Sequence, residues 1–193
     1  MKKFNLILLL AVGLFSGCNF GDLNSSTFIE DKNNPGLPEY SEWGYNTFGA
    51  YIDRSPYVSI YNDMPAKIII TADTFNLRFS GRWKGEPLTL KFSIKGYNPK
   101  NYLALTNLND STINLTAPNN KVTLIYMGKS QVLNVYEGEL YFKRVQKLYV
   151  DTESTETILS GTFNMKTFIE DEPVAISNGR FDLGIGFDNF YKF

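Results

Sequence analysis

Apolar and polar residues alternate along most of the chain, and this alternation constrains the fold more than any other feature. A period of two gives each segment one buried face and therefore predicts β-strands. The clearest pair lies in residues 74–95, where two alternating runs meet at Lys84 and Gly85. A two-residue turn there keeps both apolar sets on one face. It predicts three opposed pairs, which are Phe79 with Leu90, Leu77 with Phe92, and Phe75 with Ile94.

The opposite face of this predicted hairpin is basic. It carries Arg78, Arg82, Lys91 and Lys95, with neutral polar residues between them. We interpret it as a solvated face, since like charges at these positions would attract an acidic partner only weakly.

The last third of the chain predicts a second pair of strands at the centre of the fold. Residues 159–169 and 174–187 each contain an alternating run, and the polar sequence Glu-Asp-Glu-Pro separates them. Asn178 and Gly179 lie inside the second segment. Asn-Gly is the strongest short signal for a hairpin, because both central residues of a type I′ turn need a positive φ. The pair therefore predicts a tight turn at this point.

Residues 122–150 predict a meander of three strands. Its turns are expected at two dipeptides, Gly128 with Lys129 and Glu137 with Gly138. Two-residue turns at these places would oppose Leu124 to Leu133 and Leu133 to Phe142. A further turn is expected at residues 151–156, which are rich in Asp, Glu, Ser and Thr.

Together these patterns predict an all-β domain of about ten antiparallel strands in a meander. The sheet is expected to form a closed or half-closed barrel, or alternatively a two-layer sandwich. A barrel that spans the membrane is a further rival, suggested by the sequence Phe-Tyr-Lys-Phe at residues 190–193. The lysines on the strand faces and the N-terminal signal argue against that rival.

The first residues determine the predicted compartment. Lys2 and Lys3 precede an apolar run over residues 6–14, which is too short to span a bilayer. Small residues then lead to Cys18, the only cysteine of the chain. This pattern resembles a bacterial lipoprotein signal, which implies cleavage before Cys18 and a diacylglycerol on its thiol. Because the next residue is Asn19 rather than Asp, the outer membrane is the expected location.

Three segments follow from this assignment. Residues 1–17 are predicted to be a lipoprotein signal peptide. Residues 18–40 are expected to comprise the lipidated cysteine and a flexible tether, because they are rich in turn and coil formers without apolar periodicity. Residues 41–193 are expected to form a single all-β domain.

Composition excludes several classes of function. The chain has no histidine, which excludes Ser-His and Cys-His nucleophiles and imidazole metal sites. With Cys18 acylated, no free thiol remains. Loss of residues 1–17 removes two lysines and leaves 17 basic and 20 acidic residues, a formal charge of −3. We therefore expect no cofactor, no metal ion and no nucleic acid partner.

Aromatic residues are concentrated in residues 40–61. A core made of strands explains most such enrichment, because aromatic side chains favour half-buried pleated surfaces. The alternative is a platform for a ligand, since aromatic faces beside Asn, Asp and Arg suit sugar rings and other amphipathic molecules. The candidate ligand-binding residues are Trp43, Tyr45, Tyr51, Arg54 and Tyr57.

Carboxylates form two clusters in the sequence. The first contains Asp151, Glu153 and Glu156, and the second contains Glu170, Asp171 and Glu172. Paired carboxylates catalyse glycoside hydrolysis or bind Ca²⁺ in other proteins. Both clusters lie in predicted turns and neither spacing matches a calcium loop, so solvated turn residues are the favoured interpretation.

Three short motifs are spread over most of residues 46–187. They are Asn-Thr-Phe-Gly-Ala-Tyr at 46–51 with Asp53 shortly after, Ser-Gly-Thr-Phe at 160–163, and Ile-Ser-Asn-Gly-Arg-Phe-Asp at 176–182. Together with the N-terminal signal, they resemble a family of small lipoproteins of unknown function that is common in Gram-negative gut and oral anaerobes. The resemblance implies structural roles for the motifs. It implies no catalytic residues, because the family has no established activity.

The favoured function is a non-catalytic binding or accessory module of the envelope, attached to the membrane through Cys18. Its partner is expected to be a glycan or another envelope protein. A structural or assembly protein of the outer membrane is the second hypothesis, and a carboxylate-based glycan hydrolase is the third. An open apolar mouth would favour binding, and a filled interior with a flat exposed face would favour assembly. Two carboxylates across a cleft would favour the enzyme.

Overall fold

The structure is a computed structural model that describes residues 26–59, 64–150 and 153–193. The predicted signal peptide, Cys18 and the first part of the predicted tether lie outside the described residues, as does Asp151. Within the described ranges, no helix is long and apolar enough to cross a membrane.

Twelve β-strands and one 3₁₀ helix make up the regular structure of the described chain. In order they are β1 (Thr47–Ile52), β2 (Ser55–Ser59), β3 (Ala66–Thr71), β4 (Thr74–Trp83), β5 (Glu86–Lys95), the 3₁₀ helix (Tyr102–Leu108), β6 (Ser111–Asn114), β7 (Asn120–Tyr126), β8 (Lys129–Leu133), β9 (Glu137–Val150), β10 (Glu153–Ile169), β11 (Glu172–Ile185) and β12 (Phe190–Lys192). One sheet contains all twelve strands. Its order is β6-β9-β10-β11-β1-β2-β4-β5-β7-β8, with β3 beside β4 and β12 beside β3.

The prediction of an all-β fold is confirmed. The described strand pairs are antiparallel, except that β12 runs parallel to β3. The end strands β6 and β8 do not pair with each other, so the sheet stays open. The architecture is therefore a half-closed barrel or sandwich rather than a closed barrel.

Aromatic rings fill the space between the two halves of the sheet. Phe79 of β4 is fully buried, and its ring centroid lies 5.6 Å from that of Phe163 on β10. The same ring lies 5.4 Å from Phe181 on β11 and 5.0 Å from Phe48 on β1. Burial of such rings and their mutual contacts stabilises the fold. At this centre the interior is filled by side chains.

The predicted hairpin of β4 and β5 is confirmed in its register. Lys84 and Gly85 form the two-residue turn, with φ of 51° and 85° as a type I′ turn requires. The three predicted pairs occur, namely Phe79 with Leu90, Leu77 with Phe92, and Phe75 with Ile94. All six side chains are buried in the core.

The predicted turn at Asn178 and Gly179 is wrong. β10 and β11 turn instead at Glu170 and Asp171, whose φ values are 51° and 67°. Asn178 also has a positive φ, but it lies inside β11, where the register with β10 shifts and forms a β-bulge. Glycine is needed next to it, because a Cβ on Gly179 would lie 2.3 Å from the carbonyl oxygen of Phe163.

The first predicted turn of the meander is displaced by one residue. β7 and β8 turn at Met127 and Gly128, so that Leu133 lies opposite Val122 rather than Leu124. When a two-residue turn moves by one position along the chain, each residue of one strand gains a partner two positions away on the other strand. The side chains therefore keep the predicted face, because the period of a strand is also two.

The second predicted turn of the meander is wrong, and Leu133 does not oppose Phe142. β9 pairs with β6 and β10, and Phe142 lies opposite Gly161 of β10. β9 and β10 approach each other closely at Gly138, because a Cβ there would lie 2.6 Å from the Cβ of Met165. Of the last predicted turn, over residues 151–156, residues 153–156 belong to β10, and residues 151 and 152 lie outside the described residues.

Residues 26–40 are not a flexible tether, and the predicted tether is wrong for this range. We call residues 26–46 the N-terminal strap, because they lie against the outer side of β10, β11 and β1. Leu37 of the strap is fully buried. A Cβ on Gly49 of β1 would lie 2.4 Å from Cδ of Pro38, so the glycine leaves room for the strap. Burial of apolar strap residues offsets the entropy lost when the segment is ordered.

Candidate ligand-binding groove

The buried carboxylate of Asp182 on β11 organises the candidate site. It is 2% exposed and accepts hydrogen bonds from the backbone N–H groups of residues 43–45 at 3.1, 2.8 and 3.1 Å. The hydroxyl groups of Ser41 and Ser160 also donate to it, the latter at 2.7 Å. Five donors thus replace the water that the carboxylate loses on burial. They fix the backbone of residues 41–45 on the outer side of the sheet.

A second polar cluster holds the first half of the strap. Arg180 forms an ion pair with Asp31, and both side chains are largely buried. Asn34 donates to Asp31 at 2.8 Å and accepts from Asn178 at 2.8 Å. Hydrogen bonds from Asn34, Asn33 and Arg180 lower the pKa of Asp31 from 3.8 to about 2. Every second residue of the Asn-Gly-Arg-Phe-Asp motif therefore contacts the strap.

A β-bulge in β9 places two cations beside the loop of residues 41–45. The register with β10 shifts between Arg144 and Phe142, which leaves Lys143 as the extra residue. Successive strand residues normally point to opposite faces, but here Lys143 and Arg144 are both exposed. Both bind Glu42, at 3.2 Å from Nζ of Lys143 and 3.3 Å from Nη1 of Arg144.

A groove opens over this loop, and we call it the Trp43 groove. It has a volume of about 310 Å³ and is lined by Tyr40, Ser41, Glu42, Trp43, Arg144 and Gln146. A neighbouring depression of about 240 Å³ shares Tyr40, Ser41 and Trp43, and adds Tyr45. Trp43 is 73% exposed although its backbone N–H is bonded to Asp182. The groove thus combines an accessible indole with charged and amide side chains.

The charges in the groove are paired and partly accessible. Partial burial raises the pKa of Glu42, but hydrogen bonds from Lys143 and Tyr40 outweigh it and hold that pKa below its ordinary value. Burial and the charge of Glu42 raise the pKa of the Tyr40 hydroxyl, which donates to Glu42 at 3.1 Å. Nζ of Lys143 lies 4.9 Å from the centroid of the Tyr40 ring. At neutral pH, Glu42 is therefore an anion and Tyr40 is a neutral donor.

The structure brings together two of the five predicted ligand-binding residues. Trp43 lines the groove and Tyr45 lines the neighbouring depression. Tyr51 is half-buried and donates its hydroxyl to the carbonyl oxygen of Pro35 at 2.8 Å, so it supports the strap. Arg54 lies in the exposed turn between β1 and β2, apart from the residues that line the groove.

The prediction that Tyr57 contacts a ligand is wrong. Its side chain has no exposed surface, and its hydroxyl donates to the carbonyl oxygen of Phe79 at 2.7 Å. The same hydroxyl accepts the N–H of Leu90 at 3.2 Å. Tyr57 is therefore a core residue whose polar end is satisfied by the backbone of β4 and β5.

Five residues that line the groove were not among the predicted ligand-binding residues, namely Tyr40, Ser41, Glu42, Arg144 and Gln146. For Arg144 and Gln146 the sequence contains one signal. The apolar residues Phe142 and Val145 are both buried although they are three residues apart. That spacing breaks the period of two and indicates a bulge. Glu42 has no comparable signal, since its partners lie about a hundred residues further along the chain, for example 102 residues away at Arg144.

The described members of the two predicted carboxylate clusters lie far apart. Glu170, Asp171 and Glu172 are exposed at the turn between β10 and β11. Glu156 lies near the other end of β10, roughly 45 Å away along an extended strand. Burial, and then the charge of Asp188, raise the pKa of Glu156. Among the described residues, the two clusters therefore form no cleft with paired carboxylates.

Comparison with known proteins finds no matching family model, no matching curated protein and no matching solved structure. The resemblance of the three motifs to a lipoprotein family therefore stays a prediction.

Proposed function

We propose that this protein is a lipid-anchored, non-catalytic binding module of the outer membrane, and that its ligand binds in the Trp43 groove. The anchor is the acylated Cys18, as the N-terminal sequence predicts. The proposed ligand is a glycan of the envelope, with a segment of another envelope protein as the alternative.

The observation that carries this proposal is the exposed indole of Trp43 on a fixed backbone. An indole that is 73% exposed leaves a large apolar surface in water. The Asp182 carboxylate nevertheless holds the N–H groups of residues 43–45, so the loop does not have to be ordered when a ligand binds. A preorganised aromatic surface loses less conformational entropy on binding than a mobile one.

The surroundings of Trp43 suit a sugar ring. Aromatic faces stack on the apolar face of a sugar, while neighbouring polar groups bond to its hydroxyls. Arg144, Gln146 and Glu42 supply donors and acceptors on one side of the indole, and Tyr45 extends the aromatic surface on the other. Trp, Tyr and Arg also dominate protein interfaces, which is why a protein ligand remains the alternative.

The groove does not favour the hydrolase hypothesis. A glycosidase needs a carboxylic acid whose pKa is raised so that it donates a proton. Glu42 has a lowered pKa, and Asp182 is buried beneath the loop with its oxygens occupied by donors. Both carboxylates therefore serve to position other groups.

A structural or assembly role is the second candidate function. The filled interior around Phe79 favours it, because a ligand has no space at that centre. Chemical crosslinking of the full chain in envelopes tests it. Stable crosslinks through the Trp43 groove to one protein would favour assembly over glycan binding.

The proposed ligand class is tested with the full chain on a glycan array, followed by calorimetric titration of the strongest ligand. Trp43→Ala should lower the affinity for that ligand by about tenfold or more, which corresponds to about 1.4 kcal/mol of binding free energy. The matched control is Phe193→Ala, because Phe193 is 82% exposed and lies beside β3. Equal binding by wild type and Trp43→Ala would contradict the proposal, as would the absence of any wild-type signal.

The proposed anchor is tested separately. Cys18→Ser should abolish incorporation of a labelled fatty acid and stop normal maturation of the precursor. Unchanged labelling of the variant would contradict the anchor and leave the proposal for the groove intact.

A further inference from the structure

The outer side of β3, β4, β5 and β7 carries a large set of unpaired positive charges. Pairing of β3 and β7 with the β4–β5 hairpin adds two lysines to the four cations that the hairpin already presents. We call this surface the basic face, and its cations are Lys67, Arg78, Arg82, Lys91, Lys95 and Lys121. They are six of the 19 basic residues of the chain, which is acidic overall once residues 1–17 are removed.

The outward positions of these four strands carry no carboxylate. The residues between the cations are Thr, Ser, Asn, Pro and Ile. None of the six cations forms an ion pair within the part of the chain that the structure describes. The four cations that do bind carboxylates in the described chain, Lys143, Arg144, Lys166 and Arg180, all lie outside the basic face.

Three of these cations lie directly opposite one another across neighbouring strands. Lys67 pairs with Arg78, and Arg78 pairs with Lys91. Like charges in directly opposed positions destabilise a sheet. A row of three without an acidic partner is unfavourable for the isolated protein and becomes favourable against a negatively charged surface.

Aromatic residues lie at one edge of the basic face. Tyr191 of β12 is beside β3, and Nζ of Lys67 lies 5.9 Å from the centroid of its ring. Phe193 follows it, is 82% exposed and donates its backbone N–H to Ile70. Exposed aromatic and basic side chains together are typical of surfaces that contact the lipid headgroup region.

We propose that the basic face docks on an anionic lipid surface and thereby orients the molecule. The face is spread over four strands and has no aromatic or large apolar residue at its centre, which disfavours a protein hot spot or a stacked sugar. A diffuse layer of anionic headgroups matches such a spread of cations.

This docking places the Trp43 groove on the side away from the lipid. Phe79 beneath the basic face and Phe163 beneath the strap stack on each other across the interior, so the two surfaces lie on opposite sides of the core. This docking is independent of which ligand binds in the groove. It adds an orientation that would keep the groove accessible to that ligand.

The test uses the full chain reconstituted into vesicles of phosphatidylcholine alone or with about one-third phosphatidylglycerol. An amine-reactive reagent labels accessible lysines, and mass spectrometry measures labelling at each position. In anionic vesicles, labelling of Lys67, Lys91 and Lys121 should fall by about threefold or more, and about 0.5 M salt should reverse the effect. Labelling of Lys32 in the strap and Lys166 on β10 should not change.

Two charge-reversal variants are compared, one at the centre of the row and one outside the basic face. Arg78→Glu should remove the protection, whereas Lys147→Glu on β9 changes the net charge equally and should retain it. The melting temperature of Arg78→Glu in detergent should equal or exceed that of wild type, because the substitution relieves repulsion from Lys67 and Lys91. A lower melting temperature would contradict the argument from repulsion.

Several results would overturn the proposal. They are equal labelling of the basic face in both kinds of vesicle, full protection in Arg78→Glu, and protection by soluble polyglutamate but not by anionic vesicles. Flotation with both kinds of vesicle reports the lipid anchor independently, so failure of the anchor and failure of the docking are distinguishable.

Discussion

The N-terminal strap and the β4–β5 hairpin lie on opposite sides of one core and are held by different interactions. The hairpin is held by a backbone ladder and by apolar side chains that are close in sequence. The strap is held by polar side chains of β11, and its bonds to Asp182 join residues that are 137 to 141 positions apart. Leu37 supplies a fully buried apolar anchor, whereas one carboxylate binds the backbone N–H groups of residues 43–45.

This difference shows how a polar segment can be ordered without secondary structure of its own. Coil formers predict a tether when only local sequence is considered. Acceptors on a distant strand change that outcome, because each backbone N–H of the strap that donates to them no longer needs water. Replacing buried apolar residues should therefore destabilise the hairpin side. Replacing the polar residues that bind the strap should release the strap.

The largest expected effect is that of Phe79→Ala, which tests the apolar side of the comparison. The ring is fully buried against rings from both halves of the sheet, so its loss should reduce the free energy of unfolding by about 3–5 kcal/mol. Denaturant unfolding measures the change. The exposed Phe193 is the control, since Phe193→Ala should change stability by less than about 0.5 kcal/mol. Similar values for both variants would contradict the assigned core.

Asp182→Asn tests the polar side and should cost about 3 kcal/mol. The amide keeps the shape of the side chain but turns an NH₂ group toward the donors that the carboxylate accepts. Hydrogen exchange should increase at residues 41–45 before it increases in β4 and β5. Asp188→Asn is the control, because Asp188 is exposed next to the same strand. Unchanged protection of the loop in Asp182→Asn would show that the carboxylate does not hold it.

The pH dependence of the strap should follow Asp31. Its pKa of about 2 in the folded protein is below the ordinary value of 3.8, so the ionised form stabilises the strap. That contribution is complete above about pH 4 and is lost as the pH falls toward 2. Hydrogen exchange of residues 26–40 should therefore increase in this interval more than exchange of the hairpin. In Asp31→Asn the strap should be less protected at neutral pH, and this acid-dependent step should be absent.

Tyr51→Phe should have the smallest effect and sharpens the comparison. It removes only the hydroxyl that donates to the carbonyl oxygen of Pro35, a loss of about 0.5–1 kcal/mol. Exchange at residues 34–37 should increase slightly while the melting temperature hardly changes. A large loss of global stability would mean that Tyr51 belongs to the core rather than to the support of the strap.

The candidate site was predictable only in part. Aromatic enrichment drew attention to Trp43 and Tyr45 as well as to Tyr57, but enrichment alone does not distinguish an exposed ring from a buried one. Tyr57 lies on the core side of β2, where its hydroxyl bonds to backbone groups of two other strands. Trp43 is exposed, and only its backbone is bound, through an N–H that donates to Asp182.

The sequence by itself determined most strands, the turn at Lys84 and Gly85, and the register of the hairpin that it joins. These features depend on residues that are neighbours in the chain, and a period of two leaves one choice of buried face. The tertiary structure alone decided that the strap docks on β11, that Lys143 and Arg144 share a surface, and that cations of three strands align. Each of these depends on which distant strands become neighbours. A buried carboxylate such as Asp182 becomes favourable only after donors from remote parts of the chain converge on it.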